Sequence, residues 1–125
     1  MTPPTIHIVE DVLNSNLSWK IVNGTNTTVY YNRTHLKVRL IKTSYTLGAN
    51  NNDTTTFLLP SNINANMDIY FQAMALTSGW RPTNAIIYCC IKSGTNIVEI
   101  RSNTALSNNV ILADIMQPCG LFTIS

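Results

Sequence analysis

One stretch of the sequence alternates apolar and basic side chains: Thr34-His35-Leu36-Lys37-Val38-Arg39-Leu40-Ile41-Lys42-Thr43. From His35 to Leu40 every second residue is apolar, and the residues between them are basic. Successive side chains of a β-strand point to opposite faces of the sheet, so this pattern gives the strand one apolar face and one polar face. The stretch therefore predicts a half-buried strand in an antiparallel sheet.

A β-hairpin is predicted immediately before this strand. It joins Ser18–Val22 to Thr27–Tyr31 through Asn23-Gly24, whose residues tolerate the positive φ angles of a tight turn. Trp19 lies in the first of these strands, two residues from Leu17 and two from Ile21. This spacing puts the three side chains on one face and predicts a core position for Trp19.

The rest of the chain consists of short runs rich in Val, Ile, Tyr and Thr, separated by Asn, Gly, Ser and Pro. A second hairpin turns at Ser93-Gly94, and Gly48–Asp53 is predicted as a polar loop. The further predicted strands are Thr55–Leu59, Met67–Leu76, Asn84–Lys92, Asn96–Ser102, Val110–Met116 and Leu121–Ile124. About nine strands and no convincing helix predict an all-β fold, an antiparallel β-sandwich or barrel of the jelly-roll kind.

Two segments are distinguished along the chain. Residues 17–125 are predicted as one β domain, and residues 1–16, with Pro3-Pro4, as an N-terminal extension or linker to an upstream shaft. The longest apolar run, Ala85–Ile91, has seven residues. Because a membrane-spanning helix needs about 20, no membrane insertion is expected.

Charged residues form only 11% of the chain, whereas Asn and Thr each occur 16 times. An average soluble protein carries about 25% charged residues, so this surface is mainly amide and hydroxyl. The net charge of +2 is too small for a protein that binds nucleic acid through its phosphates. Nucleic acid is therefore not an expected partner.

The supply of catalytic groups is thin. The sequence has six carboxylates and two histidines, and it contains no nucleophile elbow, phosphate-binding loop or zinc-protease motif. Cys89 and Cys90 are adjacent and Cys119 is the third cysteine, so all three are predicted to be thiols. On a strand the adjacent pair points to opposite faces, one into the core and one towards another layer or subunit. Neither an enzyme, nor a metal site, nor a cofactor is expected.

Four residues are candidates for saccharide contact. Trp80 and Arg81 lie in a predicted loop, where an indole can stack on a sugar and a guanidinium can clamp an anionic group. The alternative for Trp80 is a plug that caps one end of the sandwich. Asp68 and Tyr70, on the polar face of their strand, can supply an acceptor and a stacking ring, the alternative being ordinary surface.

A stripe of positive charge runs along the polar face of the predicted strand Thr34–Thr43. It consists of Arg33, His35, Lys37 and Arg39 at alternate positions. Phosphate or carboxylate groups can dock there, and His35 is also a candidate for saccharide contact. The alternative is a solvated strand face whose charges discourage pairing with other chains.

The order of these segments resembles the C-terminal head domain of receptor-binding proteins of tailed bacteriophages, particularly those of the lactococcal siphophage type. The resemblance covers residues 17–125. It rests on Trp19–Thr25, Val29–Tyr31, Leu36–Ile41, Thr56–Pro60, Asp68–Ala73, Ile86–Gly94 and Ile97–Ile100. Such heads are β-barrels or jelly rolls that form homotrimers and bind host-surface saccharides near subunit boundaries, without enzyme activity.

The resemblance implies several partners and a location. The partners are host cell-wall polysaccharides, phosphate-bearing ones among them, two further copies of the chain, and an upstream tail or baseplate protein. The location is the tail tip of a virion. By residue type alone, Trp80, Arg81, His35 and Asp68 match the side chains that such saccharide sites use. A structural or fibre-joining jelly roll with protein partners remains the alternative. A secreted trimeric domain is a further one, because five N-x-S/T triplets are present where chance gives about three.

Overall fold

The computed structural model of this chain describes residues 18–125, so the predicted linker over residues 1–16 lies outside the described part. The all-β prediction is confirmed: residues 18–125 form ten strands and one 3₁₀ turn, Cys119–Leu121. The strands are β1 (Lys20–Asn23), β2 (Thr27–Tyr31), β3 (His35–Leu47), β4 (Asn52–Asp53), β5 (Ile63–Ala65), β6 (Ile69–Leu76), β7 (Pro82–Ile91), β8 (Val98–Ser102), β9 (Leu106–Pro118) and β10 (Phe122–Ile124). Among these residues, no helix is long and apolar enough to cross a membrane.

Eight of the strands form one curled antiparallel sheet in the order β1-β2-β3-β9-β6-β7-β8-β4, and β5 pairs with β10. Strand β9 pairs with β3 from His35–Pro118 to Leu47–Leu106, but with β6 only from Met74–Leu112 to Leu76–Val110. The two halves of the sheet therefore diverge beyond this short junction. They enclose one core, as expected of a sandwich or barrel.

The predicted alternation of apolar and basic residues is confirmed in β3. Leu36, Val38 and Leu40 are fully buried, whereas His35 and Arg39 are exposed on the other face. The same side of the sheet is buried in the second half, where Ile87 and Ile100 belong to the same core cluster. Over most of the sheet one face is buried and the other is exposed, which defines an inner and an outer face. Ala75–Leu76 and Cys89–Ile91 are buried on both faces.

The adjacent cysteines point to opposite faces of β7, as predicted. Cys89 belongs to the core cluster, whereas Cys90 lies outside that cluster and pairs across the sheet with the exposed Tyr70. Both cysteines are buried, and both are free thiols together with the half-buried Cys119. The thiol of Cys90 is covered on the outer face by its neighbours rather than by the core.

The predicted strand over Thr55–Leu59 is wrong. This segment is a loop. Leu58 bridges Thr25 and Ile97, and the carbonyl of Phe57 accepts a backbone hydrogen bond from Val98 of β8. Hydrogen bonds from Thr55 and Thr56 to the Asp53 carboxylate turn the chain there. Phe57 and Leu59 are buried in the core, although the backbone of the segment forms no continuous ladder.

The sequence pattern does not predict two short strands, β4 and β5. Strand β4 lies at the end of the predicted polar loop Gly48–Asp53 and pairs with β8 at the edge of the sheet. Strand β5 pairs with β10 through three residues. Both strands are too short to show a period of two, and their pairing partners are distant in sequence.

The first hairpin forms as predicted, but its turn uses a different residue. The positive φ is at Asn26, at 54°, and not at Gly24. In the second hairpin the predicted turn residue Gly94 does have a positive φ, of 73°. Glycine at position 24 is explained by packing, because a Cβ there would lie 2.1 Å from the carbonyl oxygen of Leu58.

Candidate functional site

A groove crosses the outer face of the sheet at its β1 end. The strand register puts Ile21, Tyr30, Lys37 and Met116 side by side across β1, β2, β3 and β9. Trp19 lies two residues before Ile21 and therefore on the same side of the chain. These five residues line an open groove of about 480 Å³. We call it the outer groove.

The prediction that Trp19 is a core residue is wrong, because its side chain is 44% exposed. Trp19 and Ile21 do share one face, as their two-residue spacing predicts, but this face is the outer one. Ile21 is itself 63% exposed. Trp19 directly precedes the edge strand β1, and within residues 18–125 no second layer covers the outer face there. An indole open to solvent at the end of a groove is available for contact with a ligand.

Two cations of the predicted stripe converge at the outer groove. Lys37 Nζ and Arg39 Nη2 each lie 3.3 Å from Asp114 Oδ2. The same two side chains lie over the ring of Tyr30, at 5.7 Å and 5.9 Å from its centre. The ion pairs and the cation–π contacts hold both cations beside Tyr30. Lys37 lines the outer groove itself, and Arg39 lies beside it, over the ring of Tyr30. One carboxylate faces two cations, so the group carries one net positive charge.

This arrangement combines the features of a saccharide site with those of an anion site. Trp19 and Tyr30 provide aromatic surface, Asp114 provides acceptors for hydroxyl groups, and Lys37 provides a donor. Asp114 was missed as a candidate because it is separated from Arg39 by 75 residues in sequence. Its position opposite Arg39 becomes visible only with the register of β3 and β9.

The structure divides the predicted stripe. His35 is exposed at the start of β3, with Nδ1 2.8 Å from the hydroxyl of Thr34. Arg33 precedes β3 and lines a separate cleft of about 260 Å³, together with Lys20 and Tyr31. Only Lys37 and Arg39 of the four basic residues therefore form one cluster with a shared carboxylate.

Trp80 and Arg81 lie at a different place, in the turn between β6 and β7. The amide of Trp80 donates to the carbonyl of Thr77, and the amide of Arg81 donates to the hydroxyl of the same threonine. The Trp80 side chain is 51% exposed, which does not fit a plug that caps the sandwich. Saccharide contact by Trp80 is therefore still untested, and the outer groove offers a competing place for that contact.

Asp68 and Tyr70 lie at the opposite end of β6 from that turn. An oxygen of Asp68 accepts the amide of Ser93 at 2.8 Å, so this carboxylate fastens the turn of the second hairpin. The carboxylate of Asp68 raises the pKa of Tyr70. A strand of eight residues spans roughly 25 Å, so these two residues do not share a site with Trp80.

The most hydrogen-bonded carboxylate has a structural role. Asp53 accepts from Tyr45 and from the amides and hydroxyls of Thr55 and Thr56. Burial acts to raise the pKa of Asp53, but these hydrogen bonds outweigh it, and the pKa is lowered. Burial also raises the pKa of Cys89 to about 12, which keeps this thiol protonated. Within residues 18–125, no three His, Cys, Asp or Glu side chains come together as metal ligands.

No protein-family model, no curated protein and no solved structure matches this chain.

Proposed function

We propose that this domain is the receptor-binding head of a bacteriophage tail-tip adhesin, which binds saccharides of the host cell wall without catalysis. The outer groove, with Trp19, Tyr30 and the Lys37–Asp114–Arg39 group, is the observation that carries the proposal. The resemblance of the order of sequence segments to siphophage heads supports the location in a virion. An upstream tail or baseplate protein and two further copies of the chain are the proposed partners.

The outer groove supports a saccharide rather than a purely apolar ligand. A pyranose presents C–H groups on its faces and hydroxyls around its rim, so it needs an aromatic surface beside hydrogen-bonding groups. Trp19 and Tyr30 supply the surface, and the carboxylate of Asp114 lies within 3.3 Å of both Lys37 and Arg39. The two cations also suit a phosphate-bearing polymer, because a guanidinium binds phosphate bidentately.

The test is binding of purified host-wall polysaccharide, measured by isothermal titration calorimetry on the wild type and on two matched variants. Trp19→Ala and Trp80→Ala each remove one half-exposed indole. We expect Trp19→Ala to weaken binding at least about tenfold, a loss of roughly 1.4 kcal/mol, and Trp80→Ala to leave it unchanged. The reverse order would move the site to the turn between β6 and β7. A wild type that binds no wall polysaccharide would overturn the proposal.

A second experiment separates the aromatic part of the site from its charges. Asp114→Asn removes the carboxylate that faces Lys37 and Arg39, so affinity for a phosphate-bearing polymer should rise and its dependence on salt should steepen. Lys37→Met should have the opposite effect. For a neutral polysaccharide, neither variant should change the salt dependence. Equal salt dependence of all three proteins on the phosphate-bearing polymer would exclude anion docking at this place.

The alternative is a structural or fibre-joining module with protein partners. One observation favours it: several large apolar side chains are exposed on the outer face of the sheet, among them Ile21, Met74 and Met116. Surfaces of this kind commonly bind proteins. An assembly that forms with a tail protein and ignores every host polysaccharide would support this alternative.

A further inference from the structure

An uninterrupted apolar row crosses the middle of the outer face. Ile41, Leu112, Met74 and Ile86 are direct cross-strand partners on β3, β9, β6 and β7. Leu112 is half-buried, and the other three are between 40% and 56% exposed. Tyr88 and Tyr70 extend the apolar surface along β7 and β6. We call these six residues the apolar row.

From this surface we infer that the apolar row is the contact through which a second copy of this chain binds. The inference rests on the self-association in the proposed function and assigns it to a place. The inference does not depend on saccharide binding, because the apolar row and the outer groove are separate. Lys37 of the groove lies four residues before Ile41 of the row on β3, a distance of about 13 Å.

The area fits a contact between proteins. A fully exposed large side chain has about 200 Å² of surface, so the exposed fractions of the apolar row add up to roughly 500 Å². A standard interface buries about 800 Å² on each partner, of which about 56–65% is apolar. The apolar row therefore supplies the apolar part of one such interface, and polar neighbours supply the rest.

The charges around the row suit a second copy of this chain. Arg39 and Asp114 face each other on one side, and Arg101 and Glu99 lie next to the tyrosines on the other. Lys37 also pairs with Asp114, so the rim carries charges of both signs and a net charge of only +1, which leaves a second copy free to pack there without strong repulsion. The aliphatic part of the row offers no side-chain donor or acceptor, which makes it unsuitable for a saccharide.

The deciding experiment compares two methionines of similar exposure. Met74 belongs to the apolar row and is 56% exposed, whereas Met67 is 51% exposed and precedes β6 outside the row. Sedimentation equilibrium from about 1 to about 100 µM measures the association of the wild type, Met74→Lys and Met67→Lys. We expect an oligomer for the wild type and for Met67→Lys, and association at least about tenfold weaker for Met74→Lys. Far-ultraviolet circular dichroism should be the same for all three.

A monomeric wild type at about 100 µM would overturn the inference, and so would a Met74→Lys variant that associates as tightly as Met67→Lys. If Met74→Lys does not fold, Ile41→Lys tests the same surface at the β3 end of the row. An oligomeric wild type that binds no wall polysaccharide would leave this contact standing and overturn the saccharide proposal. A monomeric wild type that binds wall polysaccharide would overturn this contact and leave the saccharide proposal standing.

Discussion

Gly24 lies directly against the main-chain carbonyl of Leu58. A Cβ at position 24 would be 2.1 Å from the Leu58 oxygen and 2.7 Å from the carbonyl carbon of Leu59. The two segments are hydrogen-bonded to each other, since Thr25 and Leu58 exchange both of their backbone bonds at 2.9 and 3.1 Å. The contact fastens the first hairpin to the loop that contributes Phe57 and Leu59 to the core.

Gly24→Ala should therefore destabilise the domain by about 1–3 kcal/mol, as insertion of a methyl group into a closely packed site does. Urea unfolding followed by circular dichroism measures the loss. Gly120→Ala is the matched control, because a Cβ at position 120 would meet no atom within 4 Å. If both variants unfold at the same urea concentration, the close approach of the two backbones is refuted.

The same position shows how far the sequence could predict the fold. Asn23-Gly24 predicted a hairpin where one exists, because turn residues between two strand-like runs are a local signal. The glycine is nevertheless explained by Leu58, which is 34 positions further along the chain. The alternation in β3 was also local, and it was predicted correctly from Leu36 to Leu40. The segment Thr55–Leu59 was predicted wrongly because apolar residues in a core-filling loop look like a short strand.

The candidate site was harder to predict, because its parts meet through sheet register. Lys37 and Arg39 were singled out from their spacing alone, and the structure does place them together. The sequence could not indicate that Asp114 lies between them, nor that Trp19 belongs to the outer face. Which face of an edge strand is covered depends on what other parts of the chain pack against it.

Acid should destabilise the domain through Asp53. Hydrogen bonds from Thr56, Thr55 and Tyr45 outweigh burial and lower the pKa of Asp53 in the folded state. A carboxylate with a lowered folded-state pKa stabilises the fold above its unfolded pKa of about 3.9. This contribution is lost as the pH falls through the folded value. The free energy of unfolding of the wild type should therefore fall below about pH 4.

Asp53→Asn should be less stable than the wild type at neutral pH and should lose part of this acid dependence. Urea unfolding at a series of pH values from about 2 to about 7 measures both effects. Asp114→Asn serves as the control, since it makes the same change of charge on the exposed face of the sheet. A pH profile of Asp53→Asn that runs parallel to the wild type would contradict the role given to the hydrogen bonds.

The three thiols should differ in reactivity. Cys119 is half-buried and should react first with a maleimide in the folded protein. Cys89 should react only on unfolding, because burial raises its pKa to about 12. Cys90 is covered on the outer face by Tyr70, its cross-strand partner and hydrogen-bonding neighbour.

Tyr70→Ala should therefore increase the labelling rate of Cys90 and leave that of Cys89 unchanged, as measured by mass spectrometry of labelled peptides. Tyr30→Ala, in the other half of the sheet, is the control and should change neither rate. Labelling of Cys90 at the wild-type rate in Tyr70→Ala would show that something other than this ring protects the thiol.

The two tryptophans should respond in opposite ways to replacement by alanine and by glycine. Trp80 has a φ of 65°, in the region that costs a residue with a Cβ about 1 kcal/mol and costs glycine nothing. Trp80→Gly should therefore be more stable than Trp80→Ala by up to about 1 kcal/mol.

Trp19 is not among the described residues with positive φ, so there the glycine variant should be the less stable one, by roughly 0.5 kcal/mol. Thermal unfolding of the four variants measures both differences. Because each comparison is made at one position, the loss of the indole cancels, and the same order at both positions would contradict the left-handed conformation of Trp80.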